Sequence, residues 1–405
     1  MLYETHILSN GIRLLYVPVV SPVVYCGFAV NAGTRDELPD EQGMAHFVEH
    51  MLFKGTNRRK SWQVISYLES FGGQIDAYTT KEETYIYATV PQARAERAVA
   101  LLADIVFHST FPDAEIEHER GVVSEEIQLY NDSPAELVYD DFEDLLFGGS
   151  SLGHNILGNE DSLRTIDSAR MHAFVQRCYT TDNLVFYLLG QVDFGRMVRW
   201  AERYFDVPAT HRTFARKQPA VYTPQTIRQH RDTFQTHCVL GNRAYHMAHD
   251  DRFALLLLNN ILGGPNMSSR LNMAVRERNG LAYTVESNIT SYVDTGVWNV
   301  YFGCDRGSEK RCLQLIDREL LRLMEKPLTD RQLQQAKCQL DGQMLIADEN
   351  RENLILAMAK AFLQMGYCLS NAEIHEKIAT VSAEKLQRLA AEIFAPDKRT
   401  TLIYC

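Results

Sequence analysis

The chain has 405 residues, of which 45% are apolar and 23% charged, so the composition excludes a disordered or fibrous protein and leaves room for two or three domains. A formal charge of -11 argues against nucleic-acid binding, because that role needs a basic surface. The sequence has no apolar run of membrane-spanning length, and its start lacks the features of a signal peptide. Eight cysteines without CxxC spacing predict reduced thiols. We therefore expect a cytoplasmic protein that binds neither nucleic acid nor membranes.

The first quarter of the chain predicts strands and helices in alternation. Residues 4–19 alternate in polarity around a glycine turn, which is typical of a β-hairpin. Residues 23–31 predict a further strand. An amphipathic helix is predicted over residues 61–71, before two β-branched and aromatic runs, 74–80 and 83–90, that predict a second hairpin.

The next hundred residues predict further helices and one strand. Residues 94–108 form one predicted helix, and residues 112–130 form a longer one. Residues 131–161 are rich in glycine and acidic residues, so we expect an irregular segment there. A helix, a buried strand and another helix are predicted over residues 167–179, 184–190 and 194–205.

The second half of the chain repeats the order of the first. Residues 208–224 are polar, basic and irregular, which is typical of an interdomain linker. Beyond them a strand, a helix, two strands, a long helix and a final strand follow in the order of the first half. We therefore predict an α+β protein with two similar domains, residues 1–207 and 225–405, each a mainly antiparallel sheet packed by helices.

One predicted helix of the first domain has a face suited to binding a metal. Residues 43–56 read GMAHFVEHMLFKGT. At about 100° per residue, the apolar side chains share one face, and His46, Glu49 and His50 lie on the other. Histidines four residues apart lie one turn apart and can bind a single metal ion. The corresponding helix of the second half has only leucine and asparagine at the matching positions, Leu257, Asn259, Asn260 and Leu262.

The long helix over residues 112–130 carries carboxylates within an apolar stripe. Glu119, Val122, Val123 and Glu126 share one face, because residues three, four and seven apart do so in a helix. A buried carboxylate without a partner is costly, so the stripe needs a cation, a metal or water beside it. Taken alone, the stripe favours a helix face that is exposed to solvent.

The order His-x-x-Glu-His is the reverse of the better-known zinc protease motif and is the signature of the inverzincins. With the segments ERGVVSEE at 119–126, MSSRL at 267–271 and RERNGLAY at 276–283, it makes nearly the whole chain resemble the M16 (pitrilysin) family of zinc metallopeptidases. The resemblance is to the short branch, which is related to mitochondrial processing peptidase subunits. It implies the LuxS/MPP-like metallohydrolase fold.

The resemblance implies a site that binds one Zn²⁺ per chain through His46, His50 and Glu126. Glu125 is the alternative third ligand, but its side chain points about 100° away from that of Glu126. Two neutral imidazoles and one carboxylate leave zinc with a positive charge and an open fourth position for water. Manganese or cobalt would also suit these ligands.

The resemblance also assigns catalytic roles. Glu49 corresponds to the general base, and Glu119 to a glutamate that supports the site. Arg276 and Tyr283 match an Arg and Tyr pair that reaches the zinc from the other half of the enzyme in relatives; an exposed arginine and a packed tyrosine are the alternative interpretation. Since one chain has both parts, the resemblance implies a homodimer in which two chains enclose a chamber and the partner completes each site.

The resemblance places substrate binding on the predicted edge strand near residues 74–80. An extended peptide can add to such an edge through backbone hydrogen bonds, which predicts weak sequence selectivity. Many relatives have Asn before Ala77, whereas this chain has Asp76, whose carboxylate cannot donate a hydrogen bond. The residues expected to bind substrate are Asp76, Ala77, Tyr78 and Thr79.

These features predict a zinc-dependent endopeptidase that acts on unfolded peptides or small polypeptides. One alternative is a non-catalytic M16-like subunit that binds or scaffolds a partner, but such subunits usually lose a ligand or the base, and this chain retains them all. The other alternative is a dedicated maturation protease for one peptide, which the sequence does not distinguish from general peptide turnover.

Overall fold

The computed structural model describes residues 2–405. The strands in chain order are β1 (Glu4–Ile7), β2 (Arg13–Pro18), β3 (Val23–Val30), β4 (Gln74–Thr79), β5 (Thr84–Pro91), β6 (Leu184–Gly190), β7 (Thr226–Gln229), β8 (Gln235–Ala244), β9 (Ala282–Ser291), β10 (Gly296–Asp305) and β11 (Thr400–Tyr404). The helices are α1 (Met44–Leu52), α2 (Ser61–Glu69), α3 (Ala95–His108), α4 (Asp113–Asn131), α5 (Pro134–Phe147), α6 (Glu160–Thr165), α7 (Ser168–Cys178), α8 (Phe194–Tyr204), α9 (Arg252–Gly263), α10 (Glu309–Glu325), α11 (Asp330–Ala347), α12 (Arg351–Met365), α13 (Asn371–Ala379) and α14 (Ala383–Ile393).

Within residues 2–405 the strands form two sheets that share a five-strand topology, to which β1 adds a sixth strand in the first. The first has the order β1-β2-β6-β3-β5-β4, and the second has the order β7-β11-β8-β10-β9. In each sheet one pair is parallel, β2 with β6 and β11 with β7, and the other neighbours are antiparallel. The predicted repeat is therefore confirmed at the level of topology, and β4 lies at an edge of the first sheet.

The centre of the first sheet is buried on both faces, to which successive side chains of a strand point in turn. In β6, Leu184, Phe186 and Leu188 pack into one apolar cluster together with residues of α1 and α3. The alternate residues Val185, Tyr187 and Leu189 pack into a second cluster with α12. All seven residues of β6 are buried, which explains its uninterrupted apolar sequence.

The two compact units are not continuous stretches of sequence. The first contains the chain up to Gln128, residues 154–216 and residues 347–370, and the second contains the rest. Helix α5 of the first half therefore belongs to the second unit, and α12 of the second half belongs to the first. The predicted ranges 1–207 and 225–405 do not include this exchange, because a helix pattern in the sequence does not say which sheet the helix covers.

One segment differs from the sequence-based expectation, and a second agrees with it in secondary structure. The prediction that residues 131–161 are irregular is wrong over residues 134–147, which form α5, while α6 begins only at Glu160. Pro134 occupies the first turn of α5, where proline is favoured, and the apolar residues of α5 pack into the core of the second unit. Residues 208–224 contain no helix or strand, as predicted. Yet the side chain of Arg216 in this segment is 6% exposed and bonds the carboxylate of Asp36, so the segment is anchored to the first unit.

In the part of the chain that the structure describes, no helix is both long enough and apolar enough to cross a bilayer.

Candidate metal centre

Helix α1 begins at a point that only glycine accommodates. Gly43 has φ 83°, and a Cβ there would lie 2.6 Å from the carbonyl oxygen of Leu157. The buried carboxylate of Glu37 accepts hydrogen bonds from the backbone N–H of Gly43 at 3.1 Å and of Ala45 at 2.9 Å. These bonds satisfy amides that have no partner inside the helix. The start of α1, and so the position of its histidines, is fixed by tertiary contacts.

The apolar face of α1 is buried in the first unit, as its sequence predicts. Met44, Phe47 and Met51 are fully buried in the cluster that covers the sheet. This packing leaves His46, Glu49 and His50 on the other side of the helix. The wall opposite the histidines is supplied by α4.

Helix α4 presents two glutamates to α1. Ile116, Val123 and Ile127 of α4 are buried, which orients the helix. Glu119 is 4% exposed, whereas the side chain of Glu126 is 43% exposed and reaches the histidines from the edge of the site. The neighbouring Glu125 is exposed, and the structure brings only Glu126 of this pair to the imidazoles.

Three side chains converge in the geometry of a metal site. Oε2 of Glu126 lies 3.7 Å from Nε2 of His46 and 3.4 Å from Nε2 of His50. Among residues 2–405 these three are the only group of His, Cys, Asp and Glu whose ligand atoms all lie within 4.8 Å of one another. A tetrahedral zinc ion with bonds of about 2.0–2.1 Å needs ligand atoms about 3.3–3.4 Å apart, so the donor set fits Zn²⁺.

The protonation state of His46 suits a metal ligand. Burial lowers the pKa of His46 to about 4, and repulsion by the neighbouring His50 acts in the same direction. The imidazole is therefore neutral at neutral pH, with a lone pair available to a cation. The two imidazole rings lie 4.6 Å apart between centroids, edge to face.

His50 is held by a second carboxylate. Its Nδ1 lies 2.9 Å from Oε1 of Glu119, and its Nε2 faces Glu126. Burial acts to lower the pKa of His50, but the hydrogen bonds with Glu126 and Glu119 outweigh burial and raise it. A carboxylate that accepts from Nδ1–H fixes the tautomer with a free Nε2, which is the usual arrangement of a metal-binding histidine.

Glu49 lies beside the candidate ligands without joining them. It is 9% exposed and lies beside Thr79 of β4, whose hydroxyl acts to lower the pKa of the carboxyl. Its Oε2 is buried and has no hydrogen-bond partner within residues 2–405. Burial raises the pKa of Glu49, which brings the carboxylate closer to the proton affinity of a general base at neutral pH.

The four residues expected to bind substrate lie on β4, which is the edge strand next to α1. Thr79 lies beside Glu49, and Ala77 packs on the same side as α1. Asp76 and Tyr78 point to the opposite face, where the ring of Tyr78 stacks on Tyr85 at 4.8 Å. Oδ1 of Asp76 accepts the backbone N–H of Ala77 at 2.8 Å.

Arg276 and Tyr283 lie in the second unit and contact each other. Arg276 belongs to a π-helical segment, Asn272–Glu277, and its guanidinium lies 5.3 Å from the centre of the Tyr283 ring. Tyr283 is 79% exposed, so the alternative interpretation of a packed tyrosine does not apply. The structure thus brings these two residues together on the surface of the second unit.

Two contributors to the site had no role in the sequence-based prediction. Glu37, which caps α1, gave no local signal, because it lies in a polar loop. Lys54 lies 2.5 Å from Oε2 of Glu119 through its Nζ. Lys54 follows His50 by four residues and His46 by eight. This spacing could have been used to predict that Lys54 lies on the metal-binding side of the helix, since residues at this spacing share one side.

The fold and the donor set define a two-domain α+β protein with a zinc-type site in one domain. The family descriptions agree: the chain matches "Insulinase (Peptidase family M16)" over residues 18–160 and "Peptidase M16 inactive domain" over residues 165–340. It is 32% identical to the uncharacterized zinc protease YmxG of Bacillus subtilis, covering 98% of this chain and 96% of that protein. It is 28% identical to the mitochondrial-processing peptidase subunit beta of Bos taurus, covering 95% of this chain and 80% of that protein. The chain belongs to peptidase family M16, and its relatives include proteins named as zinc proteases.

Solved structures confirm the fold. A protease from Helicobacter pylori has a TM-score of 0.92 at 21% identity, with 99% of each chain covered. An M16 inactive-domain protein from Pseudomonas fluorescens also has a TM-score of 0.92, at 20% identity, with 100% of this chain and 98% of that chain covered. The expected α+β fold with two homologous domains is therefore correct.

Proposed function

We propose that this protein is a zinc-dependent endopeptidase that hydrolyses unfolded peptides or small polypeptides. The observation that carries the proposal is the convergence of His46, His50 and Glu126 beside an unpaired oxygen of Glu49. A non-catalytic binding subunit would not need a carboxylate at the position of the general base. The retention of all four residues therefore favours an enzyme over a scaffold.

The candidate ligands would hold one Zn²⁺ per chain. When bound, the ion would supply a Lewis acid that polarises the scissile carbonyl and makes a water molecule more acidic. Glu49 would accept the proton of the attacking water on its free Oε2, hold it, and deliver it to the leaving amine. The neighbouring Thr79 hydroxyl would orient the Glu49 carboxylate for this task by donating to it. Glu119 would keep the His50 ring in the orientation and tautomer that binds metal.

We infer that the peptide adds to the edge of β4. This edge has no neighbouring strand within residues 2–405, and it borders α1, which carries Glu49. An extended substrate would form backbone hydrogen bonds along Asp76 to Thr79, with successive side chains pointing to opposite faces. Recognition through the backbone gives weak sequence selectivity. A dedicated maturation protease for one peptide would use the same geometry and differ only in its selectivity.

We further propose that the enzyme is a homodimer in which Arg276 and Tyr283 of the partner stabilise the oxyanion of the transition state. The exposure of Tyr283 and its contact with Arg276 support this role, since a guanidinium and a phenol are both hydrogen-bond donors. Mixing Glu49→Gln subunits with Arg276→Ala subunits tests the proposal. Recovery of activity in the mixture supports completion by the partner, and a mixture that stays inactive contradicts it.

We place the enzyme in the cytoplasm. The eight cysteines of the chain, all within residues 2–405, are unpaired thiols, and six of them are buried. Unpaired cysteines are typical of proteins in reducing compartments.

The decisive experiment combines metal analysis with digestion of a mixed peptide library by the wild type and by Glu49→Gln. We expect about one zinc ion per chain in both proteins, because Glu49 is not a ligand, and hydrolysis by the wild type alone. Chelation should remove the activity, and added zinc should restore it. Hydrolysis that survives both chelation and the Glu49→Gln substitution would refute the proposed mechanism.

A further inference from the structure

Lys54 lies at the end of the helix that carries the candidate ligands, and the proposed mechanism gives it no role. Its backbone N–H donates to the carbonyl of Met51 at 3.1 Å, so it continues the last turn of α1. Gly55 follows with φ 141°, and its carbonyl accepts the N–H of Thr110 at 3.1 Å. The backbone on both sides of Lys54 is therefore fixed, and its side chain starts from a defined position.

The side chain of Lys54 reaches the carboxylate that holds His50. Its Nζ lies 2.5 Å from Oε2 of Glu119, and Oε1 of the same carboxylate lies 2.9 Å from Nδ1 of His50. Nε2 of His50 in turn faces Glu126 at 3.4 Å. An unbroken series of polar contacts thus connects Lys54 to two candidate metal ligands.

The charges around the site show why a cation is needed there. Three carboxylates lie around the candidate site, that of Glu49 on α1 and those of Glu119 and Glu126 on α4. Together they carry up to three negative charges, whereas one Zn²⁺ carries two positive charges. Glu119 is 4% exposed, and a buried carboxylate without a cation is costly. His118 also approaches Glu119, at 3.9 Å, but its side chain is 75% exposed. Lys54 is the closer and better shielded cation, with a side chain that is 21% exposed.

We propose that Lys54 is a positioning residue of the metal centre. By pairing with Oε2, it holds the Glu119 carboxylate with Oε1 on Nδ1 of His50, so that Nε2 of His50 stays directed at the metal. Lys54 touches neither metal nor substrate, and its effect passes through Glu119. The inference rests on the proposed function, because it assumes that His50 binds the metal.

The test measures metal binding by the full chain after removal of bound metal, with zinc alone as the probe. Zinc affinity of the wild type, Lys54→Met and Lys54→Arg is determined by competition with a chromogenic chelator. The visible spectrum of the Co²⁺-substituted proteins reports the ligand geometry. We expect Lys54→Met to bind zinc about 10- to 100-fold more weakly, as is usual when a partner of a metal ligand is disturbed, with an altered Co²⁺ spectrum. Lys54→Arg should restore most of the affinity.

Lys360→Met is the matched control. Lys360 pairs with the buried Glu83 at 3.3 Å in the same unit, so its loss also leaves a buried glutamate without its lysine. If zinc affinity falls only through general destabilisation, Lys360→Met and Lys54→Met should behave alike. We expect unchanged zinc affinity and an unchanged Co²⁺ spectrum for Lys360→Met.

Glu119→Gln and the double variant Lys54→Met/Glu119→Gln show whether Lys54 acts through Glu119. The double variant should bind zinc no more weakly than Glu119→Gln alone, since the carboxylate that Lys54 orients is already gone. This variant also leaves no buried charge unpaired, so it reports on the proposal even if Lys54→Met folds poorly. Additive losses in the double variant would overturn the inference.

Two further outcomes separate this inference from the proposed function. A wild type that binds no zinc and cleaves no peptide would refute both. A wild type that binds zinc and cleaves peptides, with the same zinc affinity and Co²⁺ spectrum in Lys54→Met, would refute only the role of Lys54.

Discussion

Helices α1 and α9 follow corresponding strands of the two sheets, yet their polar residues have different partners. In the second unit, Asn259 donates to the carbonyl of Ser287 at 2.8 Å and accepts from its hydroxyl at 2.6 Å. Trp298 donates to the same hydroxyl at 2.9 Å, so this polar group of α9 is satisfied within the core. In the first unit, His46 and His50 direct Nε2 toward a carboxylate of α4 instead.

The long helices α4 and α11 complete the contrast. Helix α4 contributes Glu119 and Glu126 to the site, whereas the buried charge of α11 is Lys337. Nζ of Lys337 donates to the carbonyl oxygen of Ala379 at 2.6 Å, so its partner in this hydrogen bond is a backbone group and not a carboxylate. The same topology thus supports a cluster of candidate metal ligands in one unit, and an asparagine and a lysine that bond to groups within the core in the other. The repeat fixes where the helices lie, and a few side chains determine the chemistry.

The largest expected effect comes from replacing a candidate metal ligand of α1 by asparagine, the polar residue that α9 has instead of histidine. His50→Asn removes one of three candidate ligands and the ring that Glu119 holds. We expect zinc binding and peptide hydrolysis to fall to background, as measured by metal analysis and a fluorogenic peptide assay. The reverse change in α9, Asn260→His, should create no zinc site, because α11 offers no matching pair of glutamates. Zinc bound by the His50→Asn protein at wild-type affinity would contradict the proposed ligand set.

The next effect separates catalysis from metal binding. Glu49→Gln keeps the shape of the side chain but cannot accept a proton. We expect kcat to fall about 10²- to 10⁴-fold, the usual contribution of a general base, with zinc content unchanged. Glu125→Gln is the control, since Glu125 is exposed and lies next to Glu126 in sequence. A comparable fall in kcat in both variants would show that the loss of a negative charge lowers kcat regardless of where the glutamate lies, which would contradict a specific role of Glu49.

A third comparison uses α12 and α5, each of which belongs to the unit of the other half of the chain. Phe362 of α12 packs on the first sheet, and Phe142 of α5 packs on the second. Replacing either by Ala should destabilise its unit by about 3–5 kcal/mol, measured by calorimetry. Added zinc should offset part of the loss in Phe362→Ala, because a ligand stabilises the unit that binds it. Equal rescue of Phe142→Ala by zinc would contradict the assignment of the metal to the first unit alone.

The sequence was sufficient to predict most of the fold, because its signals are local. The apolar run of β6, the apolar face of α1 and the repeated order of elements follow from residues that are close in sequence. The convergence of His46, His50 and Glu126 was also predictable, since helical spacing and the M16 resemblance agree with the observed geometry.

The sequence was not sufficient where the partner lies far along the chain. The acidic residues of α5 hid its apolar face, and no local pattern shows that this helix covers the sheet of the other half. Glu37 caps α1 through side-chain oxygens from a loop, which also depends on tertiary structure. Both are cases in which packing overrides the local composition.

The smallest expected effect tests whether the buried polar cluster of α9 is purely structural. Asn259→Ala removes both hydrogen bonds between this side chain and Ser287 and leaves a small void, while Ser287 keeps its contact with Trp298. We expect a loss of about 1–3 kcal/mol in the stability of the second unit, the usual cost of a buried polar group left without its partner. Zinc affinity and kcat of the folded protein should not change.

Thr79→Val is the corresponding change in the first unit, because it removes the hydroxyl of β4 that lies beside Glu49 of α1. It should lower kcat because the carboxylate loses its orientation. If Asn259→Ala lowered kcat as much as Thr79→Val, the two helices would share a catalytic role, and the division between a catalytic and a structural unit would be wrong.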